Sequence, residues 1–405
     1  MNQAIAISKQ KAFLDNMREN WKQYAIPLLI LGLTFAAYFV SNSTPQEWYN
    51  HYVYQAQAFL HGRTDLQGFP SYLQDLSDYN GKYYMPSPPV PAILLMPSVA
   101  IWGTGVDEVR ISMLMGAANV ALVWILLGRM NIKSWKRLLL TILFGFGTVQ
   151  WDVATTGTTW FFAEIVAVFF VLLCMIEYFG RKRAVLMGFL LGLAALSRLP
   201  VVVGSIFFLA MLYKDGGIRR PLKFIAGLAV PLAFYGYFNY VRFGNPLQTG
   251  YSMHSYAAHF ANDINKYGMF SLHYIPKQLY TLFISPPQYI SHFPFFKPNP
   301  EGMGILLTTP AILYVVRARF SESINRWALL ATVGIFLPTI MWFSTGWVQF
   351  GYRYSLDFMP FVLIPRASGV RRTTNKTMIA LIIALVAISV IVNLWGTLWS
   401  VHLGW

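Results

Sequence analysis

Long apolar runs recur along this chain and decide what can surround it. Mainly apolar stretches occupy residues 25–40, 111–127, 161–178, 222–241, 327–343 and 378–399, each near the ~20 residues a helix needs to cross a bilayer. Shorter or proline-broken candidates lie at 88–103, 138–147, 184–196, 199–212, 302–316 and 354–364. Only 12% of the 405 residues are charged against 56% hydrophobic, too few to coat a water-soluble globule of this size. The expectation is an all-α polytopic membrane protein, with residues 1–405 forming a single membrane domain.

Charge placement orders these spans, because Lys and Arg flanking a span are retained in the cytoplasm. Most of the cations sit in six short segments: 9–22, 129–137, 181–183, 214–223, 317–326 and 366–376. If all six are cytoplasmic, the chain crosses in pairs between them. The 88–103 piece carries Pro88, Pro89, Pro91 and Pro97 and reads as re-entrant or interfacial. That leaves about eleven crossings, with residues 1–23 as a cytoplasmic tail. The 25–40 run reads as an uncleaved signal anchor. The net charge of +15 could suggest nucleic acid, but the cations flank apolar spans instead of forming a stripe, so no nucleic-acid partner is expected. The single cysteine, Cys174, lies inside a span and excludes an intramolecular disulfide.

Two long segments then face outward, 42–87 and 242–300. The first reads as an interfacial helix over 47–61 followed by a tyrosine-rich stretch. The second is rich in aromatics and prolines, with another interfacial helix at 270–284. All seven histidines fall on this outer side, which suggests an active or binding surface there.

Ionisable groups at membrane depth are costly and therefore point to function. Asp152 lies in an outer turn, and Arg198 in a tight turn between two short spans. Arg353 and Asp357 are spaced to share a helix face as an ion pair. Arginine suits a lipid phosphate, since its guanidinium is always charged and forks onto phosphate oxygens. A carboxylate of the first outer loop could serve as a general base toward a hydroxyl. No phosphate-binding loop, zinc motif, nucleophile elbow or dinucleotide motif occurs in a credible context.

The order of one span, an outer helix (EWYNHYVYQAQAFLHG), a tyrosine-rich segment running into PSPPVPAILLMP, a short turn and a long span resembles the GT-C superfamily of glycosyltransferases. The likeness is closest to family 39-like enzymes, which include protein O-mannosyltransferases and lipid A aminoarabinose transferases. It covers about the first half of the chain. GLAALSRLP is similar to a family turn in which Arg198 would stand for a phosphate-contacting lysine. KYYMPSPPVPA resembles the family's Lys-Pro-Pro region, with Lys82 displaced from the prolines.

The resemblance implies an inverting enzyme of a bacterial plasma membrane. It would move a sugar from a polyprenyl-phosphate donor to a lipid, glycan or protein acceptor on the extracytoplasmic face. It implies Glu47 as the catalytic base, His51 beside it and Asp152 near the sugar, with Arg198, Arg353 and Lys82 on the lipid phosphate. Asp65, Asp75 and Asp78 are alternative acids. The sequence departs from the family pattern at the base, where Gln46-Glu47 replaces an Asp-Glu or Asp-Asp pair. No metal ligands are expected; Mg or Mn is compatible with the reading but not required, because arginines can neutralise a monophosphate. Two other classes fit the same sequence, a non-catalytic protein that binds polyprenyl phosphate on a GT-C-like fold and a lipid or glycan transporter.

Overall fold

The computed structural model describes residues 24–45, 48–254, 256 and 258–403. It is mostly helical, with only two short hairpins. Among the described residues seven helices are long and apolar enough to cross a membrane: α1 (Tyr24–Ser41), α4 (Glu108–Arg129), α7 (Thr159–Tyr178), a segment over Leu199–Gly216, α10 (Arg219–Phe243), α14 (Ser323–Ile340) and a segment over Lys376–Val401. An eighth arises if α5 (Ser134–Phe146) and α6 (Gln150–Thr156), bent by 45°, count as one broken span. Of the other expected crossings, 184–196 is the short apolar helix α8 (Ala184–Ala195). The 302–316 stretch breaks into α13 (Ile305–Thr308) and a 3-10 helix, Pro310–Arg317. The 354–364 stretch enters α15 (Met359–Arg372), which is buried from Met359 to Val370. The proline-rich 88–103 piece forms α3 (Val90–Trp102), packed on α2 (His51–Leu60) of the first long loop.

Burial separates the bundle's centre from its rim. In α7, 78% of the best apolar window is buried against 17% for α1 and 22% for the Lys376–Val401 segment. Helix α7 therefore runs through the middle, while α1 and α16 (Lys376–Leu398) offer most of their side chains to the surroundings. Helices α8 and α10 approach most closely. A Cβ on Gly188 would overlap the Phe224 carbonyl, one on Gly227 would overlap the Val185 carbonyl, and one on Gly192 would press on Pro231. Small residues at such contacts let helix backbones pack without hydrophobic driving force. Gly188→Ala is therefore expected to destabilise by about 1–3 kcal/mol, read as a lower unfolding temperature in detergent. Gly32→Ala, whose Cβ would meet nothing, is the control and should be neutral or stabilising by up to ~1 kcal/mol.

The five described cation-rich segments meet at one end of the bundle. Lys182 pairs with Asp215, Lys214 donates to Ser323, Arg372 pairs with Glu322, and Lys136 donates to the carbonyls of Arg371 and Thr373. Arg129 donates to the Ile176 carbonyl, next to segment 181–183. The two long loops join at the other end. Ser77 donates to the Gly250 carbonyl and bridges His254, and Asp75 pairs with His254 at 3.3 Å. The five described cation-rich segments and the two long loops thus lie at opposite ends of the bundle.

Candidate functional site

Glu164, inside the most buried of the long apolar helices, organises the polar interior. Glu164 of α7 has a fully buried side chain and accepts from Arg353 Nη1 at 2.6 Å. Arg198 Nη2 lies 3.8 Å from the same oxygen. Asp357, equally buried, takes Arg198 side-on, with Nε at 3.2 and 3.3 Å and Nη2 at 2.9 Å. The Tyr354 ring lies beside both guanidiniums, 4.8 Å from Arg198 and 4.7 Å from Arg353. Two cations, two anions and an aromatic face therefore form one network at a depth where an unpaired charge would be expensive.

The expected pairing of Arg353 with Asp357 is overturned. Residues Arg353–Asp357 form a 3-10 turn, in which positions three apart eclipse and positions four apart diverge. Each of the two instead finds a partner far away in sequence. Arg198 stands where α8 has ended and the 3-10 helix Leu199–Gly204 begins, with an extended backbone (φ −142°, ψ 102°). That break turns the side chain inward, and 20% of it stays accessible. Asp357 holds the Nε and Nη2 edge; among the described residues Nη1 makes no hydrogen bond.

Toward the long-loop end the network adjoins a group of tyrosines, Tyr52 and Tyr251 among them, which make up the tyrosine basin. The hydroxyls of Tyr52 and Tyr251 both approach Ser87, and the Tyr52 hydroxyl completes no hydrogen bond of normal geometry. Tyr251 feels both Arg198 and Arg242. Arg242, at the long-loop end of α10, is 3% exposed. It donates to the Met85 carbonyl and to Asn239 and stacks on Phe238 and Phe243. Among the described residues no carboxylate pairs with it. The two acids balance Arg198 and Arg353, so Arg242 adds a positive charge with no anion to match. Chemically, the basin combines guanidinium donors, phenol hydroxyls and aromatic faces, a set that suits a phosphate carrying an apolar or sugar group.

The other expected site residues scatter. Glu47 lies outside the described residues. His51 is buried against Thr159, with Nδ1 at 3.0 Å from its hydroxyl and Nε2 donating to the Gln74 carbonyl, and it packs on Tyr49 and Trp160. Asp152 is 1% exposed, lies within electrostatic reach of Arg353 and Glu164, and leaves Oδ1 without a partner. It adjoins the network without joining it. Lys82 is exposed on the hairpin of β1 (Ser77–Tyr79) and β2 (Lys82–Tyr84), whose Asn80-Gly81 turn needs positive φ at both residues. Asp78 on β1 is exposed too. Asp65 accepts from Gln67 at 2.8 Å, and Asp75 serves His254. The sequence reading missed Glu164 and Arg242, although a carboxylate in the apolar part of the 161–178 run, well before Glu177 at its end, is itself a signal. It also left Glu108 without a role. Glu108 is 2% exposed, and its carboxylate oxygens, which face the backbone N–H groups of Thr159 and Val53, complete no hydrogen bond of normal geometry.

Burial holds the His51 imidazole below its ordinary value, the nearby carbonyls of Gln74 and Tyr49 and the charge of Asp75 offsetting part of the effect. The folded protein therefore keeps it neutral where the unfolded chain protonates, below a pH of about 6.5. Its contribution to stability is full above that pH and is lost as pH falls toward the depressed folded value. The unfolding temperature should drop between about pH 7.5 and pH 5.5, and His51→Gln should shrink that drop; an unchanged drop would remove His51 as its source.

Among the described residues no three His, Cys, Asp or Glu side chains gather to hold a metal ion. No family model, curated protein or solved structure matches the chain.

Proposed function

We propose that this protein is a membrane glycosyltransferase that moves a sugar from a polyprenyl-phosphate donor to an acceptor on the extracytoplasmic face, with inversion. The observation that supports this reading best is the Arg198 guanidinium. Asp357 pins one edge, Glu164 backs it, among the described residues Nη1 makes no hydrogen bond, and the guanidinium acts electrostatically on Tyr52 and Tyr251. A fixed donor of permanent charge is what a departing phosphate requires, because donors already in place need no reorganisation as charge develops. In this reading the acceptor hydroxyl loses its proton to a carboxylate and attacks the anomeric carbon. The bond to the lipid phosphate breaks, and Arg198 and Arg242 take up the charge of the leaving group. Glu47 is assigned as the base. The cation-rich end is assigned to the cytoplasm by the positive-inside rule, which puts the basin outside.

One observation favours a second reading, a protein that binds polyprenyl phosphate without catalysis. The two carboxylates nearest Arg198, Glu164 and Asp357, are both committed to arginines. Turnover separates the two. Purified protein given radiolabelled polyprenyl-phosphate sugars should release the sugar to an acceptor or to water, and Glu47→Gln should reduce the rate by at least about 100-fold. Binding without release for any common sugar would leave only the non-catalytic reading.

A further inference from the structure

The second long loop carries a helix whose polarity is turned inside out. In α12 (Ile275–Phe283) Gln278, Thr281 and Leu282 are buried, while Leu279, Tyr280 and Phe283 are exposed. A helix in water buries its apolar stripe instead. Gln278 fixes the inward side: its Nε2 donates to the carbonyls of Trp342 and Ser344 at 2.8 and 2.9 Å, and its Oε1 accepts from the Tyr352 hydroxyl at 2.8 Å. Just beyond α12 comes a hairpin of β3 (Gln288–Tyr289) and β4 (Phe296–Lys297). Its base is tied down, because the Ser285 carbonyl accepts from the Gly304 N–H at 2.9 Å and the Ser285 hydroxyl accepts from Asn299 at 3.2 Å. Its far end is aromatic and uncovered. Phe293 is 83% exposed and Tyr289 71%, with Phe295 and Phe296 exposed beside them. These rings pack edge-on in pairs, Tyr289 on Phe296 and Phe293 on Phe295.

We propose that this hairpin is a membrane anchor, its aromatic tip entering the lipid headgroup region of the leaflet at the long-loop end. Three observations identify lipid as the occupant. The exposed side of α12 continues the exposed apolar stripe of α14, one of the candidate spans: Phe283 meets Phe336 with ring centres 6.3 Å apart, and Leu330, Val333 and Leu337 stand exposed along α14. The surroundings of α14 therefore reach α12. Residues 288–297 hold no acid and a single lysine, Lys297, a composition that suits the interface, where aromatic rings sit half apolar and half wet and a lysine extends to the polar layer. Finally, the Gln278 bonds commit the polar side of α12 to the chain just past the end of α14, so the apolar side cannot roll inward. The anchor holds the second long loop against the bilayer, beside the segment that leads through Tyr352 into Arg353, and it does not depend on the proposed enzyme activity.

Spin labelling of the full chain in vesicles of phosphatidylethanolamine and phosphatidylglycerol tests it. Cys174, the single native cysteine, is buried, so a thiol-reactive nitroxide marks an introduced cysteine and the unaltered chain gives the background. A label at Phe293→Cys should be relaxed more by dissolved oxygen, which concentrates in lipid, than by a water-soluble nickel chelate. A label at Lys82→Cys, on the hairpin of the first long loop with its polar Asn80-Gly81 turn, should show the reverse order. Phe296→Cys should match Phe293→Cys, which keeps the test decisive if one labelled variant fails to fold. A Phe293 label relaxed more by the nickel chelate stands in water and overturns the anchor. A label shielded from both reagents is covered by protein, such as a second copy of the chain, and also overturns it.

Discussion

Glu164→Ala is expected to lower the stability of this protein by about 3–5 kcal/mol, the usual cost of removing one partner from a buried ion pair. Among the described residues the carboxylate is the sole acid that pairs with Arg353, whose side chain is only 5% exposed, so its loss strands a guanidinium in the protein interior. Arg198 keeps Asp357 and should be disturbed less. The double variant Glu164→Gln with Arg353→Met removes both charges together and should recover most of the loss, because well-packed neutral groups often replace a buried pair at little cost. Unfolding in detergent, followed by heat or by a denaturing detergent titration, measures the cycle. A single-variant loss under about 0.5 kcal/mol, the scale of a surface change, would mean that water or relaxation already satisfies Arg353.

The second large effect concerns Arg198. If its guanidinium stabilises the departing phosphate, Arg198→Lys should cut turnover by about 10²–10³, the range seen when a single placed donor is removed from a transition state. An ammonium keeps the charge, but it is a point donor on a flexible stem. It cannot grip Asp357 along one edge while presenting another N–H to the basin. The loss should fall on kcat more than on KM, since bond breaking demands the fixed donor more than ground-state attraction does. A variant with turnover within about threefold of the original, on the same principle, would move Arg198 to a purely structural place.

Much of the fold can be read from the residue order, because a bilayer leaves few options. Apolar length marks the long spans, and the cation clusters correctly group the segments that meet at one end. Helix α15 shows where this fails. Its sequence, MPFVLIPRASGVRR, is not unusually apolar, yet the segment is buried from Met359 to Val370 because other helices surround it. Packing decided its position, and hydropathy cannot report packing. The site divides in the same way. Arg198 and Arg353 stand out as charges near membrane depth, but the partners of neither are local. Asp357 reaches Arg198 across 159 positions and Glu164 reaches Arg353 across 189. A four-residue spacing implied a helical pair, and a 3-10 turn removed it. Glu164 shows a different gap, since an acid in the middle of an apolar run is visible to any reader who looks for charge where it is costly.

The account rests on Arg198 presenting a lipid-phosphate site toward the tyrosine basin. Binding of radiolabelled polyprenyl phosphate to the purified protein tests this without requiring turnover. Saturable binding is expected, weakened at least about tenfold by Arg198→Met, a loss of ~1.4 kcal/mol, and unaffected by Lys82→Met, whose side chain lies exposed on the hairpin. Binding that survives Arg198→Met, or an absence of saturable binding in the unaltered protein, would contradict the account.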